Sequence, residues 1–309
     1  MYSKVLLITW FLISISAGNA IGQDQYSFSG KRAMEWIEYQ CQLGPRTINS
    51  VGSKALRDSI SSLCHSLDVE FTSMQFQVAD PYGSSNLELT NMMISLGPEG
   101  GKRLWLGAHY DSRPVCDKEV DPVLAAKPLV GANDGASGVA VLLHLVELLH
   151  SAELEYGVDI ILFDGEDYGH SGDISGFCLG SRYLARTWNK FGSPLVGYEP
   201  IGLILLDMVG EHNLRIPMEY HSISRAPGFT RLVFQRANQL ALGAFVPVVG
   251  KPVYDDHVPF LDTGLPAVDL IDFDFPQWHT SGDVPAVCSP ESLRQVGELV
   301  LDICLNPLF

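Results

Sequence analysis

Residues 159–169 read DIILFDGEDYG. Four apolar residues, Ile160 to Phe163, run without alternation into three carboxylates and two glycines. An unbroken apolar run bounded by turn residues is the pattern of a strand covered on both faces. Setting Asp164, Glu166 and Asp167 at the end of such a strand is opposed by mutual repulsion and by loss of hydration. Something positive, or a task that needs negative charge, is therefore expected beside them.

The same shape recurs along the chain. RLWLGAHYDS (103–112), IGLILLDMVG (201–210) and LPAVDLIDF (265–273) are short apolar runs that end in polar residues. VEFTSMQFQV (69–78) and LELTNMMISL (87–96) also read as strands. Helical spacing of apolar residues marks 31–43 and 52–67, and GASGVAVLLHLVELLHSA (135–152) is apolar round most of a helix. The last pattern, SPESLRQVGELVLDICL (289–305), offers Ser289 as N-cap and Pro290 in the first turn. Strands alternating with helices predict one three-layer α/β domain, with a mainly parallel central sheet flanked by helices, over residues 21–309. Ligands of such sheets bind beyond the carboxyl ends of the strands, so the polar endings should converge on one crevice.

Composition narrows the partners. The chain has 309 residues, is 46% hydrophobic and carries a formal net charge of −16. That charge argues against nucleic acid or an anionic membrane surface. Residues 1–20, MYSKVLLITWFLISISAGNA, combine a Lys, a short apolar stretch and a small-residue end. They read as a signal peptide, which predicts an exported protein, periplasmic or secreted, with no stable membrane span after cleavage. Export permits disulfides, yet the six cysteines are scattered without a Cys-x-x-Cys pair, which speaks against a thiolate metal site.

The strand ends hold the chemistry. His109 lies in AHYDS, Asp134 in GANDGASG, Glu166 and Asp167 in DGEDYG, and Asp207 in LLDMVG. Asp255, Asp256 and His257 follow in YDDHVPF, then Trp278, His279 and Asp283 in QWHTSGD. Carboxylates and imidazoles without thiolates suit zinc, and a divalent cation would offset the acids gathered at one point. Of two adjacent acids, one can bind metal while the other shuttles protons. Any single Asp of this set could equally be a cap or turn residue. His144 and His150, inside the apolar helix, read as structural.

Taken together, AHYDS, NDGASG, GED, LLDMVG and WHT resemble the zinc-dependent aminopeptidase superfamily M28. DDHVPFLDTGLPAVDLI followed by FPQWHT resembles the animal-type glutaminyl cyclases within it, from about residue 30 to the C-terminus. The resemblance implies one zinc per chain on Asp134, Asp167 and His279, with Glu166 as proton shuttle. It implies a hydrogen-bonded pair of Asp255 and Asp207 near the reacting amide, and a substrate pocket walled by Trp278 and Phe275. The substrates it implies are peptides or proteins with N-terminal glutamine, converted to pyroglutamate and ammonia.

His109 and Asp207 match positions that hold a second metal in the aminopeptidases, so an M28-type zinc aminopeptidase is the alternative. A non-catalytic binding domain of the same fold is a remote one. Two departures mark this sequence. The animal enzymes have Glu where Asp167 stands, and they carry a Trp shortly after the acid pair, where YGHSGDISGF has none. The pocket rim is therefore not carried over there, and the pattern resembles a bacterial branch.

Overall fold

The structure is a computed structural model that describes residues 26–190, 195 and 197–308. The expected signal peptide, residues 1–20, lies outside the described residues. The chain begins with helices Gly30–Gln42 (α1) and Val51–Ser66 (α2), then strands Glu70–Ala79 (β1), Asn86–Leu96 (β2) and Gly101–His109 (β3). A short helix Pro122–Ala125 (α3) leads to Ala136–Leu149 (α4), strand Gly157–Phe163 (β4), Leu179–Thr187 (α5) and strand Tyr198–Asp207 (β5). Strand Ile216–Met218 (β6), helices Tyr220–Arg225 (α6) and Pro227–Gln239 (α7), and strand Phe245–Val249 (β7) follow. Helix Val258–Asp262 (α8), strand Ala267–Ile271 (β8) and helix Pro290–Leu305 (α9) complete the domain.

The main sheet has the order β1-β2-β4-β3-β5-β8. Strands β4, β3, β5 and β8 are parallel, as the unbroken apolar runs predict. β1 and β2 pair antiparallel at one edge, where burial alternates along β1 because one face is open. Asp159, the first residue of the opening stretch, is a buried charge within β4. It is paired with Arg103 at 2.6 Å and also accepts from Trp105 and Ser95, which is how a core strand tolerates it.

Helices cover both faces. Gly138 in α4 lets that helix approach Ala108 of β3 closely. Trp105, on the opposite face by strand alternation, meets Trp188 after α5 and Phe260 of α8 edge-on at 5.5 and 5.8 Å. α1 and α9 pack beside α4 in one outer layer. Ser289 caps α9 by accepting from the Glu291 N–H, with Pro290 in the first turn, as read from the sequence. The six cysteines are all free and five are buried. β6 and β7 form a separate two-stranded parallel sheet.

Candidate metal centre and reaction pocket

Parallel register brings the strand ends to one edge of the sheet. His109, the last residue of β3, stands opposite Phe163 at the end of β4, and Gly107 stands opposite Leu205 two residues before Asp207. The loop after β4 carries Glu166 and Asp167, the loop before α4 carries Asp134, and the loop after β8 carries Trp278 and His279.

Each loop is held from behind. Asp111, a buried acid just past β3, accepts the backbone N–H of Glu166 at 3.1 Å and of Asp167 at 3.2 Å. That grip sets the turn, and the two neighbouring side chains diverge from it. Glu166 Oε1 accepts from the Cys178 thiol at 3.4 Å, and its group with Cys178 and Asp255 is buried. Asp167 turns the other way, with Oδ1 2.6 Å from Arg113 Nη1. Arg113 is thus one positive group beside the acids that the sequence leaves unpaired.

Asp134 does not cap the helix that follows it. Gly135 is the N-cap residue of α4 at φ 92°, without a side-chain cap. A side chain at Gly135 would be strained, and its Cβ would stand 2.7 Å from the Asp111 carbonyl. Asp283 instead takes the N–H groups of Asn133 and Asp134 at 2.7 and 3.0 Å. The Asp134 carboxylate is left to face the centre.

His279 completes the set. Its Nδ1 lies 3.0 Å from Asp117 Oδ1, so Nε2 is the nitrogen that points inward. Nε2 stands 3.5 Å from Asp167 Oδ1 and 3.7 Å from Asp134 Oδ2, beyond ordinary hydrogen-bond length. Asp167 Oδ2 is buried with no hydrogen-bond partner. Ligand atoms of Asp134, Asp167 and His279 all lie within 4.8 Å of one another. Two carboxylates and an imidazole with an orphaned oxygen form a donor set that fits zinc with one position open. A carboxylate on the outer nitrogen of a ligating histidine is the usual orienting device.

The electrostatics point the same way. Burial lifts the Asp167 carboxyl to about 7, against the opposing charges of His279 and Arg113. Burial, then the charge of Asp167, raises Glu166 well above the usual carboxylate range. Asp255 is raised by burial and next by Asp207. So many buried acids at one point is a strong call for a cation.

Asp134 is shared with a second set, made with His109 and Asp207. His109 Nε2 is 3.1 Å from Asp207 Oδ1 and 3.3 Å from Asp134 Oδ1. Burial opposes charge on this imidazole, but Asp111, Asp134 and Asp207 outweigh it and hold its pKa well above the ordinary histidine value.

Asp207 and Asp255, expected as a pair, line the same cavity. Asp207 Oδ1 is engaged by His109. Asp255 Oδ1 takes the Asp256 N–H, and its Oδ2 has no partner. The β5 end carries Asp207 toward the β3 end, while Asp255 sits on the loop before α8. Asp256 and His257, expected with Asp255, are tied to Ser181 and Glu219.

The reaction pocket is a cavity of about 200 Å³ lined by Glu166, Asp255, Tyr254, Phe273 and Trp278 beside the metal set. Trp278 is half-buried and stacks on the His279 ring at 3.9 Å. Lys118 Nζ lies 5.2 Å from the centre of the Trp278 ring. Phe275, expected on the wall, is buried behind Met208, Val253 and Ile271, which line the cavity where it does not. Phe273 meets the cavity instead, packed on Trp278 at 4.9 Å. From the stretch after the acid pair, Ile174 and Phe177 line the cavity. His144 is structural: it accepts from the Ser29 N–H at 3.1 Å and lies 2.9 Å from Glu147.

Sequence reasoning did not single out Asp111, Arg113, Asp117 or Phe273. Asp111 and Arg113 flank Ser112 in the stretch containing His109, a signal that proximity to a strand end could have raised.

Comparison with known proteins accords with this arrangement. Residues 91–304 match peptidase family M28. The glutaminyl-peptide cyclotransferase of Bothrops jararaca is 29% identical over 263 residues, covering 76% of this chain and 70% of that protein. The glutaminyl cyclase of Porphyromonas gingivalis superposes with a TM-score of 0.83 at 34% identity, over 89% of this chain and 96% of that one. A structure described as a leucine aminopeptidase precursor from Bacteroides thetaiotaomicron superposes with a TM-score of 0.85 at 31% identity, over 91% and 98% of the two chains.

Proposed function

The chain belongs to peptidase family M28, and on that premise we propose that it is a zinc-dependent glutaminyl-peptide cyclotransferase. It converts the N-terminal glutamine of peptides or proteins to pyroglutamate and releases ammonia. The observation that carries the reading is the divergence of two adjacent acids. Glu166 faces the small pocket, while Asp167 joins Asp134 and His279 in a zinc-type donor set.

Zinc held by Asp134, Asp167 and His279 supplies a Lewis acid for the γ-carbonyl oxygen. The chain's own residues do the rest. Trp278 and Phe273 pack against the short glutamine side chain and exclude water from it. Folding the side chain back places the α-amine against the γ-carbon, and intramolecular proximity favours the five-membered ring. Glu166 takes a proton from the amine as the N–C bond forms. It returns that proton to the γ-amide nitrogen as the C–N bond breaks and ammonia leaves. Asp255 and Asp207 stand beside the reacting amide, Asp207 through its contact with His109.

The deciding experiment incubates the protein separately with a Gln-initiated and a Leu-initiated peptide and records masses. Loss of one ammonia from the first alone is the expected result. Release of a free amino acid from either would favour an M28 aminopeptidase, the reading that the His109–Asp134–Asp207 set supports.

One zinc per chain is expected. In the second set His109 already closes on Asp207 and Asp134 at hydrogen-bond range, whereas the first set leaves Asp167 Oδ2 unpartnered. Elemental analysis should give one equivalent, and two equivalents both needed for turnover would revive the aminopeptidase. Chelators should abolish turnover with little loss of folded signal, because the core of so large a domain does not depend on the ion.

Trp278→Ala should lose most turnover while remaining folded, since the ring is half-buried and borders the cavity. Kinetics beside a thermal melt checks this. A melt that collapses would return Trp278 to the core. The reading also takes residues 1–20 as a signal peptide, 21–309 as one catalytic domain, and the enzyme as periplasmic or secreted. Among the described residues no helix is long and apolar enough to cross a membrane.

A further inference from the structure

Arg113 is the group the reaction does not call for and the structure does not leave idle. Its side chain is buried at 1% exposure, in the loop just beyond β3. The guanidinium is divided between two acids. Nη1 donates to Asp167 Oδ1 at 2.6 Å, while Nε and Nη2 donate to Asp117 Oδ1 and Oδ2 at 2.8 and 3.0 Å. Asp117 Oδ1 in turn lies 3.0 Å from His279 Nδ1. The Phe177 ring lies against the guanidinium at 5.4 Å.

One side chain therefore touches Asp167 directly and reaches His279 through a single carboxylate. We propose that Arg113 is a positioning residue that fixes two of the three zinc ligands at once. The oxygen it holds, Oδ1, is the one that stands 3.5 Å from His279 Nε2, so the clamp sets this carboxylate against the imidazole beside which it must serve. A rigid planar fork suits this task, because its donors keep fixed angles to two acceptors. A lysine keeps the charge but offers a point donor on a flexible stem and cannot hold both acids in one plane. The arrangement also explains why an aspartate serves here. A glutamate would push its carboxylate one methylene further, into the space the guanidinium occupies.

The inference rests on the assignment of Asp134, Asp167 and His279 to zinc, and the zinc content of the unmodified protein tests that assignment separately. The test of Arg113 is zinc affinity, measured by competing a chromogenic chelator against the zinc-loaded full chain. Near-ultraviolet circular dichroism before chelator addition checks the fold.

Arg113→Lys should weaken zinc about 10–100-fold, the usual worth of an orienting partner, with the dichroism unchanged. Asp117→Asn, which keeps size but removes the charge that holds both Arg113 and His279, should weaken it in the same direction. Asp167→Glu should weaken zinc at least about 10-fold when Arg113 is present, and clearly less in the Arg113→Lys background. Zinc held as tightly by folded Arg113→Lys and Asp117→Asn as by the parent chain would overturn the proposal. So would costs for Asp167→Glu and Arg113→Lys that simply multiply, since independent sites do not share a clamp.

Discussion

Glu166→Gln should leave zinc content and substrate affinity close to those of the parent enzyme and lower turnover by about 10²–10⁴-fold. The substitution keeps size and hydrogen-bonding capacity but cannot accept a proton. The geometry gives it little else to disturb. Asp111 grips the backbone N–H of Glu166, not its side chain, so the turn that also presents Asp167 should survive. Among the described residues its side-chain hydrogen-bond partner is the Cys178 thiol, whose pKa burial and the charge of Glu166 push well above the usual cysteine value. That thiol stays protonated and can donate to a glutamine carbonyl as it does to the carboxylate. Steady-state kinetics with a Gln-initiated peptide, beside elemental analysis, reads both halves. An emptied metal site in Glu166→Gln would transfer Glu166 from proton carrier to ligand.

Asp167→Ala should lose zinc on dialysis and activity with it, by more than the 10–100-fold that an outer orienting partner is worth. One of three protein ligands disappears, together with the only buried carboxylate oxygen of the set that lacks a partner. Arg113 keeps its two bonds to Asp117, so no guanidinium is left bare in the interior and the fold should hold. The measurement is zinc per chain before and after dialysis, followed by turnover with zinc added back. A variant that stays metallated and is merely slow would exchange the roles of the two acids. The pair of experiments is decisive because the two residues are adjacent acids that one turn sends to different partners.

How much of this was legible beforehand depends on the range of the forces involved. Ile160 to Phe163 already specify a strand buried on both faces, because successive residues point to opposite faces and all four are apolar. Ser289 and Pro290 start α9 where they stand, because capping acts within one turn. The alternation of such segments determined the layered fold, and the residues at strand ends determined where the crevice had to be. The resemblance nominated Asp134, Asp167 and His279, which the fold brings within 4.8 Å of one another.

Other features belong to the tertiary structure alone. Asp207 meets His109 because the register of parallel strands, which no local pattern records, brings the ends of β3 and β5 together. Phe273 rather than Phe275 faces the cavity, a choice made by the turn after β8 and not by residue type. The Arg113 clamp joins residues 54 positions apart, and Asp117 meets His279 across 162. Contacts at such separation follow no period of 2 or 3.6 residues. The sequence alone determined the layers of this protein and the edge where its acids gather. Only the packed sheet set Glu166 beside Cys178 and Asp255, and Asp167 beside Arg113, Asp134 and His279, because those contacts depend on distances between segments that meet only after folding.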